Sequence, residues 1–258
     1  MFIDDVLTMQ PDRILLTGDI SNALVIGKHL TIMAEQWKDI PIDFTLGNHD
    51  YYGESPFVPS KMKDVNKKVA NVVKQFSNLN WLERSGPVKL TDETVLVGSS
   101  LWCDWRAGLK DRSSVWLNDY LLIAELFGHP NNYADRARIK TRVQNLAKDR
   151  TNQLIKDFEK AIDLGYKRII VGVHVPPFHE ASYYNGRIQD DDWAAHFVCK
   201  VAGDKLKEKA KKHPDVDITV LCGHTHGQGK ADVLPNIHVI NGPAQYRNPA
   251  PQIPIIVR

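Results

Sequence analysis

Five short stretches of this chain place metal-binding or proton-transferring side chains beside apolar runs. They are Gly18-Asp19, Gly47-Asn48-His49-Asp50, Gly172-Val173-His174, Gly223-His224-Thr225-His226 and Asn241-Gly242. Each of the first four follows β-prone residues, and loops at the carboxyl ends of strands converge over the sheet in open α/β proteins. One carboxylate, one amide and three imidazoles at such places are typical ligands of divalent metals. The pattern therefore predicts a metal site.

Taken singly, the stretches differ in how specifically they indicate a metal site. Asp19 by itself is equally compatible with a helix N-cap, and a lone histidine such as His174 is more often structural. The Gly47–Asp50 stretch is more specific, because a plain turn seldom needs an imidazole between an amide and a carboxylate. His224 and His226 are the most specific pair, since residues at i and i+2 after a strand can face one pocket.

The bulk composition is that of an ordinary globular enzyme. The chain has 258 residues, 43% hydrophobic and 25% charged, with a net charge of +2. This balance gives no reason to expect a nucleic-acid or membrane surface. Three scattered cysteines do not form a disulfide framework, and we interpret Cys222 as a small buried thiol. Isolated cysteines and an opening without a secretory pattern favour a cytoplasmic location.

Strands alternate with helices along the chain, which favours an α/β layered fold. Ser21 or Asn22 is the expected N-cap of the first long helix. The predicted strands are 13–17, 42–46, 94–98, 168–173, 217–222 and 237–240, and the predicted helices are 22–38, 61–76, 193–212 and most of 114–164. No repeat or linker interrupts this order, so we expect one domain over residues 1–258.

In this order the motifs resemble those of the calcineurin-like metallophosphoesterase superfamily. That family's pattern is D-x-H, G-D, G-N-H-D/E, a histidine after a strand, and G-H-x-H. Gly18-Asp19, Gly47–Asp50, His174 and Gly223–His226 match its last four parts. The resemblance implies two packed mixed β-sheets flanked by helices, a four-layer α/β/β/α sandwich with a dinuclear centre at the strand ends.

The resemblance also implies roles for single residues. Asp19 would bridge two divalent ions (Mn, Fe or Zn), and His226 would help to bind the second. The remaining ligands of the first ion would be Asn48, His174 and His224. His49 would stabilise or protonate the leaving oxygen, with Asp50 orienting it. Two cations about 3.5–4 Å apart can turn a bridging water into hydroxide, neutralise the phosphoryl oxygens and hold in-line geometry.

One part of the family pattern is absent. None of the ten histidines has an aspartate two residues earlier, so the opening D-x-H is missing. Residues 1–5 instead have the character of the helix that normally follows that motif. The missing side chains would both serve the metal of His226, which leaves that site impaired. We interpret the chain as an N-terminally incomplete form of an active enzyme whose sheet lacks its first strand.

Two other functions remain open alongside phosphoester hydrolysis. A degenerate one-metal or metal-free member could act as a binding scaffold; the lost motif favours this, and the retention of four ligands and His49 opposes it. A metal-dependent hydrolase of another ester or nucleotide class is the second. The expected substrate is a small-molecule or nucleotide phosphoester, monoester or diester. The aromatic stretches Tyr51-Tyr52, Trp102–Trp105 and Tyr183-Tyr184 either line its pocket or pack in the core.

Overall fold

A computed structural model of the protein describes residues 2–246 and 248–257. The strands in this part of the chain are β1 (Ile14–Thr17), β2 (Ile42–Thr45), β3 (Leu79–Trp81), β4 (Val88–Lys89), β5 (Thr94–Ser99), β6 (Arg168–Val173), β7 (Tyr183–Tyr184), β8 (Arg187–Ile188), β9 (Asp217–Cys222), β10 (Gly229–Leu234) and β11 (Ile237–Asn241). The α-helices are α1 (Phe2–Thr8), α2 (Ile26–Gln36), α3 (Met62–Val73), α4 (Leu82–Ser85), α5 (Asp119–Leu122), α6 (Tyr133–Asp163), α7 (Asp191–Phe197) and α8 (Lys200–Lys212). Short 3₁₀ turns lie at His49–Tyr51, Lys110–Arg112 and His179–Ala181.

Two sheets carry the fold. The smaller has the order β1-β2-β3 and is parallel in every described pairing. The larger is mixed and has the order β10-β11-β9-β6-β5-β4, with antiparallel β10 and β4 at its edges. In its centre β5, β6, β9 and β11 run parallel, so their carboxyl ends lie along one edge.

The sheets face each other between two layers of helices. Strands β1 and β2 contact β5 and β6, α2 and α3 pack together on the small sheet, and α6 and α8 cover the large one. One hydrophobic cluster contains buried side chains from both sheets, including the stacked rings of Phe44 and Trp81. Strands that are covered on both faces have apolar side chains at consecutive positions. This explains the continuous apolar sequence of β5 and β6. The α/β sandwich expected from the sequence is thus confirmed.

Most predicted elements form, with shifts of a few residues at their ends. The first long helix begins at Ile26 rather than residue 22, because Asn22 Oδ1 accepts the backbone N–H groups of Leu24 and Val25 and caps the turn before it. The predicted helix over 193–212 is wrong as one element. It divides into α7 and α8 because Val198 is extended and the N–H of Cys199 bonds to the carbonyl of Pro176.

The middle of the chain is mostly helical, as the sequence predicts, with a break that contains Gly128, His129 and Pro130. Between residues 114 and 164 the described helices are only α5 and α6. The prediction missed β3, β4, β10 and the β7–β8 hairpin. The β7–β8 hairpin has a recognisable sequence signal, the dipeptide Asn185-Gly186. In the structure these two residues have left-handed φ values of 48° and 75°, as a two-residue hairpin turn requires. None of the helices in the described ranges combines the length and apolarity needed to cross a bilayer.

Candidate metal centre

The four best-supported ligand candidates lie at the carboxyl ends of four strands. Asp19 follows β1, Asn48 follows β2, His174 follows β6 and His224 follows β9. Because strands from both facing sheets end at this edge, their loops meet above the layer between the sheets. The sequence therefore places these side chains on four elements that the fold brings together.

Four donor atoms from these residues lie at distances typical of ligands around one ion. Asn48 Oδ1 is 3.0 Å from His174 Nε2 and 3.1 Å from His224 Nδ1. The two imidazole nitrogens are 3.1 Å apart, and Asp19 Oδ1 is 3.4 Å from His174 Nε2. Metal–ligand bonds of about 2.0–2.2 Å separate neighbouring ligands by roughly 2.9–3.5 Å. The gap between the four atoms therefore has the dimensions of a divalent cation.

The tautomers of the two histidines turn lone pairs toward this gap. His174 Nδ1 lies 2.8 Å from the carbonyl oxygen of Thr17, and His224 Nε2 lies 3.4 Å from that of His196. A carbonyl only accepts, so each of these nitrogens carries a hydrogen. His224 Nδ1, Asn48 Oδ1 and the Asp19 carboxylate then turn acceptor atoms toward the gap, beside His174 Nε2. A divalent cation in the gap would satisfy these buried acceptors.

The electrostatics of the site agree with this arrangement. Burial lowers the pKa of His224 to about 3, and neighbouring His174 adds to the effect, so His224 is neutral at physiological pH. Burial alone would raise the pKa of Asp19, but the imidazoles of His174, His49 and His224 outweigh it and hold that pKa below its usual value. The centre therefore presents the Asp19 carboxylate, the His224 and His174 imidazoles and the Asn48 amide.

Asp119, which sequence analysis missed, orients Asn48. Asn48 Nδ2 donates to Asp119 Oδ1 at 2.8 Å and to the Tyr52 hydroxyl at 2.9 Å. The Tyr52 hydroxyl in turn donates to Asp119 Oδ1 at 2.6 Å. With both amide hydrogens used, Asn48 can only turn its oxygen to the gap. The pKa of Asp119 is raised, because the effect of burial outweighs that of the two hydrogen bonds, which would lower it.

His49 lies beside the four donors on the more open side. Its Nε2 is 4.0 Å from Asp19 Oδ2, and its side chain is 26% exposed. The imidazole is stacked between two tyrosine rings, with centroid distances of 4.4 Å to Tyr52 and 5.5 Å to Tyr246. The ring is thereby fixed by packing while its edge stays accessible.

Asp50 does not have the contact expected for a residue that orients His49. Its carboxylate accepts the backbone N–H of Ser21 at 2.6 Å and that of Gly47 at 2.8 Å. No hydrogen bond joins it to the His49 ring in the described part of the chain. Burial, with a further contribution from Asp19, raises its pKa to about 8. Asp50 therefore connects the two ligand-bearing loops and is a positioning residue.

His226 lies at the margin of the centre. Its ring packs edge-on against Tyr246 at 4.7 Å, and burial lowers its pKa. Between the two histidines of this loop, Thr225 accepts a hydrogen bond from the buried amide of Asn241. Asp19, His224 and His226 all have left-handed φ values, 53°, 67° and 58°. Such strain of about 1–3 kcal/mol per residue is commonly found at functional sites.

The N-terminal helix α1 does not lie beside the metal centre, so it does not supply the missing ligands. Phe2 of α1 packs against Trp37, just beyond the carboxyl end of α2, and the Trp37 indole donates to the Ile3 carbonyl. Helix α1 is thus held at the end of α2 that points away from Asp19. Over residues 2–246 and 248–257, no group of three or more His, Cys, Asp or Glu side chains meets the geometry of a complete metal site. Asp19, His174 and His224 by themselves therefore do not form such a group.

Several other residues that the sequence analysis considered are buried or form structural hydrogen bonds. Tyr51, Trp102 and Trp105 are buried in the core, and all three cysteines are buried free thiols, as expected for Cys222. His179 Nε2 donates to the carbonyl of Gln189.

The fold is that of a metallophosphoesterase-type protein. The family model of calcineurin-like phosphoesterases matches residues 2–228, and the chain belongs to this family. Membership implies metal-dependent phosphoester hydrolysis and two divalent ions.

Solved structures show the same fold. The chain is similar to the phosphopantetheinyl hydrolase of Mycobacterium tuberculosis, with 14% identity, a TM-score of 0.59 and coverage of 89% of this chain and 78% of the other. It is also similar to a dimetal phosphatase from Danio rerio, with 12% identity, a TM-score of 0.52 and coverage of 93% and 76%. No match was found among curated protein sequences.

Proposed function

We propose that this protein hydrolyses a phosphoester with a divalent cation held by Asp19, Asn48, His174 and His224. The observation that supports this most directly is the cluster of four donor atoms, each of which lies 3.0–3.4 Å from at least one other. Donors of this type suit Mn, Fe or Zn. When bound, such an ion polarises a phosphoryl oxygen and lowers the pKa of water.

The chain's own residues supply orientation and proton transfer. Asp119 and Tyr52 hold the Asn48 amide with its oxygen toward the cation. Thr17 and His196 hold the two ligand imidazoles through their carbonyl groups. We assign His49, with its accessible edge 4.0 Å from Asp19, as the group that donates a proton to the leaving oxygen.

The residues fit one ion better than two. His226 and Asp19 are the matched side chains for a second ion, and two protein ligands hold a metal weakly. No step is assigned to that position. We expect a chelator-treated protein to take up one tightly bound Mn²⁺ per chain in isothermal titration calorimetry.

Hydrolysis of p-nitrophenyl phosphate with added Mn²⁺ tests the proposal. Asp19→Ala removes a ligand and His49→Ala removes the proton donor, so both should reduce kcat at least 100-fold. The matched control is His129→Ala, because His129 is exposed and its ring contacts Phe127 away from the centre. Equal activity in the wild type and both site variants would reject the assignment.

The binding scaffold is the second candidate function, and the incomplete second metal position favours it. A scaffold would bind Mn²⁺ or phosphate without turnover. Calorimetric binding of phosphate in the absence of any hydrolysis would support it over the enzyme.

A further inference from the structure

A cavity of about 540 Å³ opens directly beside the proposed metal site. It is lined by the His224–His226 loop, the β7–β8 hairpin, the start of α7 and Tyr246. His224 therefore belongs both to the proposed ligand set and to the cavity wall. A volume in this range suits a small organic molecule rather than a phosphate group alone.

The wall opposite the histidines is aromatic and apolar, yet it is open to solvent. Trp193 is 40% exposed, Tyr184 47% and Ile188 44%. Rings continue from there to the centre, with Trp193 5.4 Å from Phe197 and Phe197 4.7 Å from His224 between centroids. Large apolar side chains left uncovered in a concave site mark a binding surface.

The hairpin is a fixed wall rather than a loose flap. The Tyr183 hydroxyl donates to the Lys230 carbonyl at 3.1 Å, and the Gln189 carbonyl accepts from His179 Nε2 at 2.8 Å. A Cβ at Gly227 would lie 2.3 Å from the Tyr183 carbonyl oxygen, so the hairpin backbone approaches the histidine loop closely. The cavity is thus preformed, which lowers the entropy cost of binding.

Besides the two histidines, the polar residues that line the cavity are Arg187, Gln189, Asp190 and Thr225. Asp190 caps α7 by accepting the N–H groups of Asp192 and Trp193. Arg187 lies exposed at the rim and brings a guanidinium, which stacks on planar rings as well as pairing with anions. A flat, apolar ligand with an anionic end fits this distribution.

We propose that the cavity binds the organic part of the substrate, and that this part contains a planar aromatic ring stacked on Trp193 and Tyr184. This rests on the proposed function, which places the phosphoryl group at the cation that His224 helps to hold. The substrate class is then a phosphoester of an aromatic group, either a nucleoside or a simple aryl group.

The test compares three substrates in the wild type and in Trp193→Ala. Adenosine 5′-monophosphate carries a nucleoside, 1-naphthyl phosphate carries an aryl group, and ethyl phosphate carries no ring. Loss of one stacking ring changes affinity by roughly five- to 150-fold. We expect Trp193→Ala to lower kcat/KM at least tenfold for one or both ring substrates, mainly through KM, and less than twofold for ethyl phosphate.

Two further variants separate stacking from general damage. Trp193→Phe keeps a ring and should recover most of the lost kcat/KM. Tyr133→Ala removes another exposed aromatic side chain, 89% exposed and outside the cavity lining, and should change nothing. A loss confined to adenosine 5′-monophosphate identifies the nucleoside, and a loss for both ring substrates identifies the aromatic ring in general.

The outcomes also separate this inference from the proposed function. Equal losses for all three substrates, or none for the ring substrates, would overturn the stacking assignment while leaving hydrolysis intact. If the wild type hydrolyses nothing, the proposed function fails, and calorimetric binding of the two ring compounds decides the inference. Tenfold weaker binding to Trp193→Ala supports it, and unchanged or undetectable binding rejects it.

Discussion

Gly47 is the position where the smallest change should do the most damage to the metal centre. A Cβ built there would lie 2.1 Å from Asp19 Oδ1, 2.4 Å from the Asp19 backbone nitrogen and 2.7 Å from His174 Cε1. Ordinary contacts of this kind begin near 3.4 Å. Relief therefore requires a displacement of about 3.4 − 2.1 = 1.3 Å at the Asp19 carboxylate.

A rotation of the carboxylate alone cannot provide this room, because the backbone of Asp19 is also too close. Two of the four donors, on Asp19 and His174, must then leave positions that suit a metal to within about 0.2 Å. A misplacement of about 1 Å in a catalytic site typically costs on the order of 100-fold in rate. We expect Gly47→Ala to lower Mn²⁺ affinity and turnover by at least this factor.

Isothermal titration calorimetry of the chelator-treated protein measures the affinity, and circular dichroism with thermal unfolding verifies the fold. Overpacking should cost about 1–3 kcal/mol of stability and leave the variant folded. Gly223→Ala is the matched control. This residue directly precedes His224, but its Cβ would lie at ordinary contact distances, 3.4 Å from Thr17 Oγ1 and 3.7 Å from the Thr17 carbonyl oxygen. Near-wild-type Mn²⁺ affinity in a folded Gly47→Ala would refute the proposed arrangement of donors.

Two further predictions concern groups outside the ligand set. Asp119→Ala frees the Asn48 amide to rotate, so Mn²⁺ affinity should fall about 10- to 100-fold, whereas exposed Asp149→Ala should leave it unchanged in the same titration. Burial, helped by Arg136, lowers the pKa of His196 from 6.5 to about 3, so the unfolded chain binds a proton there between these pH values and the folded one does not. This stabilisation is present above pH 6.5 and is lost at about 1.4 kcal/mol per pH unit as the pH falls toward 3. In urea titrations across that window, the stability difference between the wild type and His196→Gln should change with this slope; a constant difference would contradict the assignment.

His196 connects the metal centre to the core of the protein. His196 Nδ1 lies 2.8 Å from the Tyr120 hydroxyl and its Nε2 lies 3.0 Å from Ser113 Oγ. Its carbonyl accepts from His224, so α7 both supports a ligand and carries Trp193 into the cavity. Ligand geometry and the shape of the cavity are therefore set by the same short helix.

The amino-acid sequence by itself determined where the loops with the candidate ligands occur. Strands β6 and β9 were predicted with the bounds they have, because apolar runs of β-branched residues between polar turns are local signals. Asp19, Asn48, His174 and His224 each follow such a run, so their places at strand ends could be read directly. The short β3 and the polar β10 lacked that signal and were missed.

Only the tertiary structure decided which groups surround the candidate ligands. Asp119 contacts an amide 71 positions earlier in the chain, and Tyr246 stacks on His49 from the C-terminal segment. Nothing near Asp119 in the sequence marks it, since its role depends on how α5 packs beside the loop after β2. The division of 193–212 into two helices and the backbone bonds of Asp50 have the same origin. Local patterns specify elements, whereas contacts between distant segments arise only when those elements pack.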